Sequence, residues 1–445
     1  MKASTSPDPW PDPSAALEKA IGEYEEKNRQ LIHGKDGRLF TRKRKLSFGD
    51  CIFQMVGRRG KTQQAEADVV AGENGIGTLT ASGLFNRRMA IDPSAVSEIS
   101  KSLVRGLYLD PAVWKSLKKV RGKILVACDG SDIVLPSPKG NAEKYGTSCG
   151  GRAHSSENDP VMGKLSTLYD VMNGFTVETE TGKYKKDEKK MLMDHIESLS
   201  SWLHRKFVFV CDRGYFSIEI ADFMAQRHLF YVIRLNGKTL SDYWGGIEPG
   251  KDMVCGVRYS GPRLNNVKKS HPEIAYRVAS TVYRIRFVRL RIQKADGTYA
   301  EEVLATNLPR SGFSVSDIAE IYRERWGIEN SYRRMKSSLK MEQFSGYRER
   351  LFLQDIHATV IAHNMTVLAE KKAEIVKPPK KGHMLCFKRA AAEIKLRLWK
   401  MRKEKEEQAT LLLRICTFTE PVRPGRSYPR RNVKNKCRMS YADSY

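Results

Sequence analysis

The 445-residue sequence lacks the patterns that mark several common protein classes. Its eight cysteines are scattered without a Cys-x-x-Cys pair, which argues against a disulfide framework and a structural zinc site. No window approaches the roughly 18 apolar residues of a membrane span, and the start has no apolar signal segment. The Gly/Ser-rich stretch 144–159 lacks the order of an NTP-binding loop. We therefore expect a cytoplasmic protein with reduced thiols and no membrane partner.

The sequence also has far fewer acidic residues than basic ones. Lys and Arg total 78 against 51 Asp and Glu, so the formal net charge is +27 and the pI about 9.7. So many positive charges repel one another unless a polyanion binds. We expect nucleic acid as this partner rather than an anionic membrane surface. The alternative for any basic cluster is a general phosphate-attracting surface that does not read sequence. The basic candidates for DNA contact lie near the N-terminus: Arg42, Lys43, Arg44, Lys45, Arg87 and Arg88.

Apolar strand patterns alternate with helical ones, which predicts an α/β fold with a mixed sheet flanked by helices. KILVACD (123–129), KFVFVCD (206–212) and FYVIRLN (230–236) are typical of buried strands, and the stretch 165–180 predicts a hairpin turning at Asn173-Gly174. The alternating stretch 237–310 predicts an antiparallel β insertion. We divide the chain into a disordered lead (1–15), an all-α DNA-binding domain (16–115), an α/β domain (116–352), a helical region (353–415) and a basic tail (416–445).

Two aspartates end matching apolar strands: Asp129 in VACD and Asp212 in FVCD. In α/β sheets, the crevice outside the carboxyl ends of the strands is where binding sites form. Two carboxylates from neighbouring strands provide oxygen ligands suited to a divalent metal. The alternative is that each aspartate caps a helix or opens a turn, which is a common role for this residue. Asp132 is a nearby competitor, which we expect in the following turn.

A predicted helix over 315–340 carries four polar residues in register: Tyr322, Arg325, Glu329 and Lys336. At about 100° per residue, they fall within roughly a 60° arc that borders the apolar stripe. Glu329 can therefore reach the sheet where the two aspartates emerge, with Arg325 and Lys336 as flanking positive charges. The alternative is a solvated helix face stabilised by pairs of charges one turn apart.

The pattern Tyr322-x2-Arg325-x3-Glu329-x6-Lys336 resembles the YREK signature of DDE transposases of the insertion-sequence-four class. ACDGSDIVLP at 127–136 and VCDRGYFS at 210–217 are similar to the first and second aspartate blocks of that family. The long gap between the second aspartate and the glutamate is similar to the family's β-rich insertion. The resemblance covers roughly residues 40–435.

This resemblance implies a ribonuclease-H-like core in which Asp129, Asp212 and Glu329 bind two Mg²⁺ ions, with Mn²⁺ as a substitute. It implies double-stranded DNA as the partner, both as terminal repeats and as target, and a homodimer in the synaptic complex. The protein would then act at the bacterial nucleoid. The remaining signature residues would hold phosphates beside the scissile bond: Tyr322, Arg325 and Lys336.

Family members of this kind can free their element through a DNA hairpin, whose extruded base stacks on an aromatic ring. Trp244, the only tryptophan in 237–310, is a candidate for this contact, although packing is its more common role. Two further functions stay open at this point. One is a DNA-binding regulator without catalysis, and the other is a structure-specific nuclease without strand transfer.

Overall fold

An eight-stranded mixed sheet organises the chain. The structure, a computed structural model, describes residues 8–34, 39–40, 46–148, 159–199, 203, 205–293 and 297–423. The strands of the sheet are β1 (Ile124–Val134), β2 (Met162–Asp170), β3 (Thr176–Lys183), β4 (Phe207–Cys211), β5 (Phe230–Arg234), β6 (Asp252–Val257), β7 (Tyr283–Gln293) and β8 (Tyr299–Thr306). A separate antiparallel pair is formed by β9 (His383–Leu385) and β10 (Thr419–Pro421).

Helices precede, separate and follow these strands. None of those in the described ranges combines the length and apolar character needed to cross a membrane. In chain order they are α1 (Pro13–Lys27), α2 (Arg29–His33), α3 (Phe48–Val56), α4 (Gln63–Asn74), α5 (Ala81–Met89), α6 (Pro93–Leu109), α7 (Pro111–Ser116), α8 (Lys139–Tyr145), α9 (Glu188–Ser198), α10 (Ile218–Gln226), α11 (Ser241–Trp244), α12 (Gly261–Ser270), α13 (Pro272–Ser280), α14 (Val315–Glu324), α15 (Gly327–Arg333), α16 (Glu349–Val376), α17 (Phe387–Lys403) and α18 (Lys405–Thr417). A short π-helix, Arg334–Ser338, follows α15 directly.

The strands lie in the order β3-β2-β1-β4-β5-β8-β7-β6. β1, β4 and β5 run parallel, whereas β2 and β3 at one side and β8, β7 and β6 at the other are joined antiparallel. The first five strands thus form a mixed sheet in the order 3-2-1-4-5, consistent with a ribonuclease-H-like fold. The predicted strands and the hairpin at Asn173-Gly174 are confirmed. Gly174 adopts a φ of +86°, which glycine tolerates without strain.

Residues 237–310 contain the predicted antiparallel strands together with helices. Strands β6, β7 and β8 are antiparallel as expected, and they extend the main sheet. Helices α11, α12 and α13 lie among these strands. Pro262 and Pro272 stand in the first turns of α12 and α13, where proline favours a helix start. The sequence interpretation missed these two signals.

The N-terminal and C-terminal helices share one hydrophobic core with the sheet. Helix α16 crosses the predicted boundary at 352 and packs against α1, α3 and α6 as well as α17 and α18. Residues 8–15, part of the predicted disordered lead, are packed: the Trp10 ring lies 6.0 Å from that of Phe175. The other domain boundaries stay predictions, and the basic tail beyond residue 423 lies outside the described residues.

One face of the sheet positions the candidate site. Leu125 of β1 and Val210 of β4 point to the face covered by α14, where they pack in one cluster with Ile321. Side chains alternate between the two faces along a strand. Asp129, four residues after Leu125, therefore points to the α14 face, and Asp212, two residues after Val210, continues the same alternation.

Candidate active site

The two aspartates leave the sheet side by side. β1 and β4 are parallel, and their last paired residues are Cys128 and Cys211, directly before Asp129 and Asp212. Neighbouring strands lie about 4.8 Å apart. However, β1 continues to Val134 beside β2, so the prediction that Asp129 ends its strand is wrong. The aspartate instead marks the point where β4 stops beside β1.

Asp132 lies inside β1 and not in the predicted turn. It stands opposite Lys164 of β2, and the two side chains form an ion pair at 2.9 Å. Because it follows Asp129 by three residues, Asp132 points to the opposite face of the sheet. It therefore does not compete with Asp129 for a place in the candidate site.

Tyr322 and Arg325 meet the aspartate pair at the end of α14. The Tyr322 hydroxyl donates a hydrogen bond to Asp212 Oδ1 at 3.0 Å. Arg325 is only 3% exposed, and its guanidinium carbon lies 5.7 Å from the centre of the Tyr322 ring and 4.6 Å from that of Trp326. Its Nε has no hydrogen-bond partner, which is rare for a buried polar atom. The two rings thus hold a guanidinium whose Nε–H has no acceptor within the protein.

The pKa values of the two aspartates shift in opposite directions. Burial raises the pKa of Asp129 to about 6. The positive charge of Arg325 opposes this shift, whereas the negative charges of Glu188 and Asp212 add to it. Burial also acts on Asp212, but the Arg213 backbone N–H and the Arg325 guanidinium outweigh it and lower the Asp212 pKa. Adjacent carboxylates with separated pKa values are typical of functional sites.

The predicted helix over 315–340 is interrupted. α14 ends before Arg325, which forms a turn with Trp326, and the π-helix Arg334–Ser338 follows α15. Backbone hydrogen bonds reach back three residues at the turn and five residues at the end of the π-helix. Gly327, a weak helix former, opens α15 directly after the turn. The uniform spacing that placed four polar residues on one arc therefore does not hold.

Lys336, in the π-helix, contacts the second half of β1. Its Nζ donates to Ser131 Oγ at 2.8 Å and also to the Asp132 carbonyl. The carboxylate of Glu342 lies 3.9 Å away. The structure thus brings Lys336 to the strand that carries Asp129, two to three residues beyond that aspartate.

Glu329 lies on α15 with an exposed side chain. One turn later, the Tyr332 hydroxyl donates to the Asp129 carbonyl at 2.6 Å, which fixes α15 against β1. Within the described ranges, no three His, Cys, Asp or Glu side chains are close enough to hold a metal ion. The candidate centre in this conformation is thus the pair Asp129 and Asp212, with Glu329 on the helix packed against β1.

Two charged residues near Asp129 were missed by the sequence interpretation. Glu188 begins α9, and a Cβ added at Gly130 would meet its carboxylate oxygen at 2.4 Å. Lys164 binds this carboxylate at 3.2 Å. Asp187 caps α9, and this cap could have indicated where the helix begins. Nothing in the sequence shows that the first turn of α9 lies against β1.

The predicted basic contacts divide into three groups. Arg87 is partly exposed on α5; its guanidinium lies 4.4 Å from the centre of the Phe40 ring and donates to the Leu46 carbonyl. It stays a candidate for DNA contact. Four residues lie outside the described part of the chain: Arg42, Lys43, Arg44 and Lys45.

Arg88 is a correction. It is 3% exposed, and its guanidinium binds Asp355 at 2.7 Å and Ser345 Oγ at 2.6 Å. Gln354 Oε1 accepts a third bond, from Nε, at 3.2 Å. Contact with DNA would break these bonds and leave Asp355 short of a partner, so the geometry argues against the predicted contact.

Trp244 packs against the core. Its indole N–H donates to the Thr239 carbonyl at 2.8 Å, and the ring is partly buried against the hydrophobic cluster of the sheet. Trp326, in contrast, is 50% exposed beside Arg325. Of the two tryptophans, Trp326 is therefore the more accessible to a base.

Comparison with known proteins gives a family and several structural similarities. The family described as the transposase DDE domain matches residues 121–365, more than half of the chain. A solved structure described as the cryo-EM structure of the piggyBac transposase synaptic complex with hairpin DNA aligns with a TM-score of 0.39 and 12% sequence identity. That alignment covers 94% of this chain and 87% of the other. No curated protein matches the sequence.

Proposed function

The chain belongs to the family of the transposase DDE domain, and from this premise we propose that it is a DNA transposase of the insertion-sequence-four class. It cuts and joins phosphodiester bonds at the ends of a mobile element. Its partners are double-stranded DNA, as terminal repeats and as target, and a second copy of the chain in the synaptic complex. The net charge of +27 supports a polyanionic partner.

One observation carries the proposal. Asp129 and Asp212 follow the last paired residues of two parallel strands, and both point to the face covered by α14 and α15. The tyrosine and the arginine of the signature reach this pair at the junction of those two helices. A polar signature placed on a solvated helix face would not have met the carboxylates in this way.

The donor set fits divalent metal ions. Mg²⁺ prefers oxygen ligands and takes few carboxylates, completing its shell with water and substrate phosphate. Asp129 and Asp212 supply adjacent carboxylates, and Glu329 supplies a third from α15. In this proposal the three hold two Mg²⁺ ions, with Mn²⁺ as a substitute. Such a pair of ions supplies activation of the attacking oxygen and stabilisation of the leaving oxygen.

The signature cations bind DNA phosphates. Arg325 has an unpartnered Nε beside the aspartate pair, and a guanidinium matches two phosphate oxygens at once. Lys336 donates to Ser131 and to the Asp132 carbonyl, which places its positive charge beside the strand that carries Asp129, where it would attract a phosphate. Tyr322 orients Asp212 through its hydroxyl. In a hairpin route, the exposed Trp326 would stack on the displaced base.

The test is cleavage of linear DNA that carries the ends of the element, in Mg²⁺. We expect the wild-type chain to cut and join this DNA, and Asp129→Ala, Asp212→Ala and Glu329→Ala each to abolish both steps. Glu320→Ala, a change of an exposed glutamate on α14, is the matched control and should remain active. Gel filtration with paired ends should show two copies of the chain per complex.

Each other outcome identifies a different function. If all proteins bind the ends and none cuts them, the chain is a DNA-binding regulator. Cutting without joining would indicate a structure-specific nuclease. Full activity in any of the three alanine variants would show that the assigned triad is wrong.

A further inference from the structure

A second group of charges lies behind Asp129, on the opposite face of the sheet. Gly130 follows that aspartate in β1, and the Glu188 side chain lies directly against it: an added Cβ would be 2.4 Å from Glu188 Oε1 and 2.6 Å from its Cδ. The absence of a side chain at Gly130 is therefore what lets the Glu188 carboxylate approach the strand so closely. This close approach places a fourth acid behind Asp129, across the sheet from the aspartate pair.

Lys164 holds this acid in place. Its Nζ lies 3.2 Å from Glu188 Oε1 and 2.9 Å from Asp132 Oδ1, and its side chain is only 16% exposed. One ammonium thus bridges α9 to β1, three residues beyond Asp129. The carbonyl of the same Asp132 accepts a bond from Lys336. Both lysines therefore fix the short segment of β1 that carries the first aspartate.

We propose that Lys164 and Glu188 form a positioning pair that sets how strongly the aspartate site attracts divalent cations. This inference rests on the proposed function. Lys164 compensates one of the two negative charges of Glu188 and Asp132, so the group behind Asp129 keeps one net negative charge. Removal of one partner alone changes the local charge by one unit, and the sign depends on which partner is removed.

The two single variants should move metal affinity in opposite directions. Lys164→Met leaves two carboxylates uncompensated, so the site should bind Mn²⁺ about three- to tenfold more tightly. Glu188→Gln removes one negative charge and leaves Lys164 paired with Asp132 alone, so the site should bind Mn²⁺ more weakly by about the same factor. Lys164→Arg keeps the charge and should restore the wild-type affinity. The double variant Lys164→Met/Glu188→Gln should lie between the two single variants.

The experiment is a titration of free Mn²⁺ by electron paramagnetic resonance, on the full-length chain bound to a DNA duplex that carries an element end. Lys372→Met is the matched control, because Lys372 is a lysine of similar exposure that bridges two aspartates, Asp8 at 2.7 Å and Asp12 at 3.1 Å. Lys372 also donates to the carbonyl of Trp10, whose ring packs against Phe175, outside the candidate site. Lys372→Met should leave Mn²⁺ affinity unchanged.

A merely structural role for the pair predicts something else. Loss of either partner would then loosen β1 and weaken Mn²⁺ binding in both single variants. Weaker binding in both single variants, or no change in either, would overturn the inference. The proposed function would still be supported if the wild-type chain binds Mn²⁺ and Asp129→Asn does not. If the wild-type chain binds no Mn²⁺ at this site, the proposed function itself fails.

Discussion

Arg88 and Arg325 are equally buried but have different environments. Each is 3% exposed. Arg88, on α5, donates to Asp355 and to three further acceptors on or next to α16. Arg325, at the end of α14, rests against two aromatic rings, and its Nε has no hydrogen-bond partner. One guanidinium donates four hydrogen bonds within the protein, and the other keeps donor capacity beside two carboxylates.

The difference shows how a buried cation can be assigned to stability or to function. A buried donor without a partner costs about 1–3 kcal/mol, so a fold retains it only where something compensates. At Arg88 the compensation is internal, since Asp355, Ser345 and Gln354 accept hydrogen bonds from its guanidinium. At Arg325 we infer that the missing partner is a DNA phosphate. Net charge along the sequence cannot make this distinction.

The largest expected effect concerns stability. Arg88→Met should lower the free energy of unfolding by about 3–5 kcal/mol, because it removes a buried guanidinium and leaves its acceptors, Asp355, Ser345 and Gln354, each short of one donor. Urea denaturation measures this change. Arg87→Met, a change at the neighbouring partly exposed arginine, is the control and should cost less. A stable Arg88→Met protein that binds DNA poorly would reverse the assignment of Arg88.

The second effect concerns catalysis. Arg325→Met should reduce the rate of DNA cleavage by about 10²–10³-fold, the usual effect of removing one preorganised donor from a site of developing charge. Its free energy of unfolding should change by less than that of Arg88→Met, since no saturated ion pair is broken. Arg333→Met is the matched control: Arg333 is exposed on α15 and donates to Asn330 Oδ1 of the same helix at 2.9 Å. Equal losses of rate in both variants would contradict the special role of Arg325.

The sequence predicted the core of the sheet well, because buried strands need continuous apolar runs. KILVACD and KFVFVCD became β1 and β4, and their pairing placed Asp129 and Asp212 together. The sequence could not predict which strands pair with which. Nothing in the local pattern shows that β1 continues beside β2 after β4 has ended, or that β6–β8 extend the same sheet.

The site was predicted less completely, because burial and helix winding depend on tertiary contacts. Arg87 and Arg88 are adjacent in a basic run, and only packing against α16 shows that the second is structural. The break at Arg325 and the π-helix that carries Lys336 depart from uniform helical spacing. Glu188 approaches Gly130 from a separate helix, so no sequence spacing could have indicated it.

The smallest expected effect distinguishes the two aspartates by their response to pH in a metal-free buffer. Burial raises the pKa of Asp129 to about 6, above the ordinary value of 3.8. Its protonated form therefore favours the folded state: the stabilisation is fully present below pH 4 and is lost as pH rises through 6. Between pH 4 and pH 7, the wild-type chain should lose about 2–3 kcal/mol of unfolding free energy relative to Asp129→Asn.

Asp212 should show the opposite sign. Its pKa is lowered, so its ionised form favours the folded state. That stabilisation is present above the ordinary pKa and is lost as pH falls through the lowered value. Urea denaturation of Asp129→Asn and Asp212→Asn at several pH values, in EDTA, measures both trends. Parallel profiles for the two variants would show that Arg325 does not favour the ionised form of Asp212 over its burial, and the contrast between the guanidinium of Arg325 and that of Arg88 would then lose its electrostatic basis.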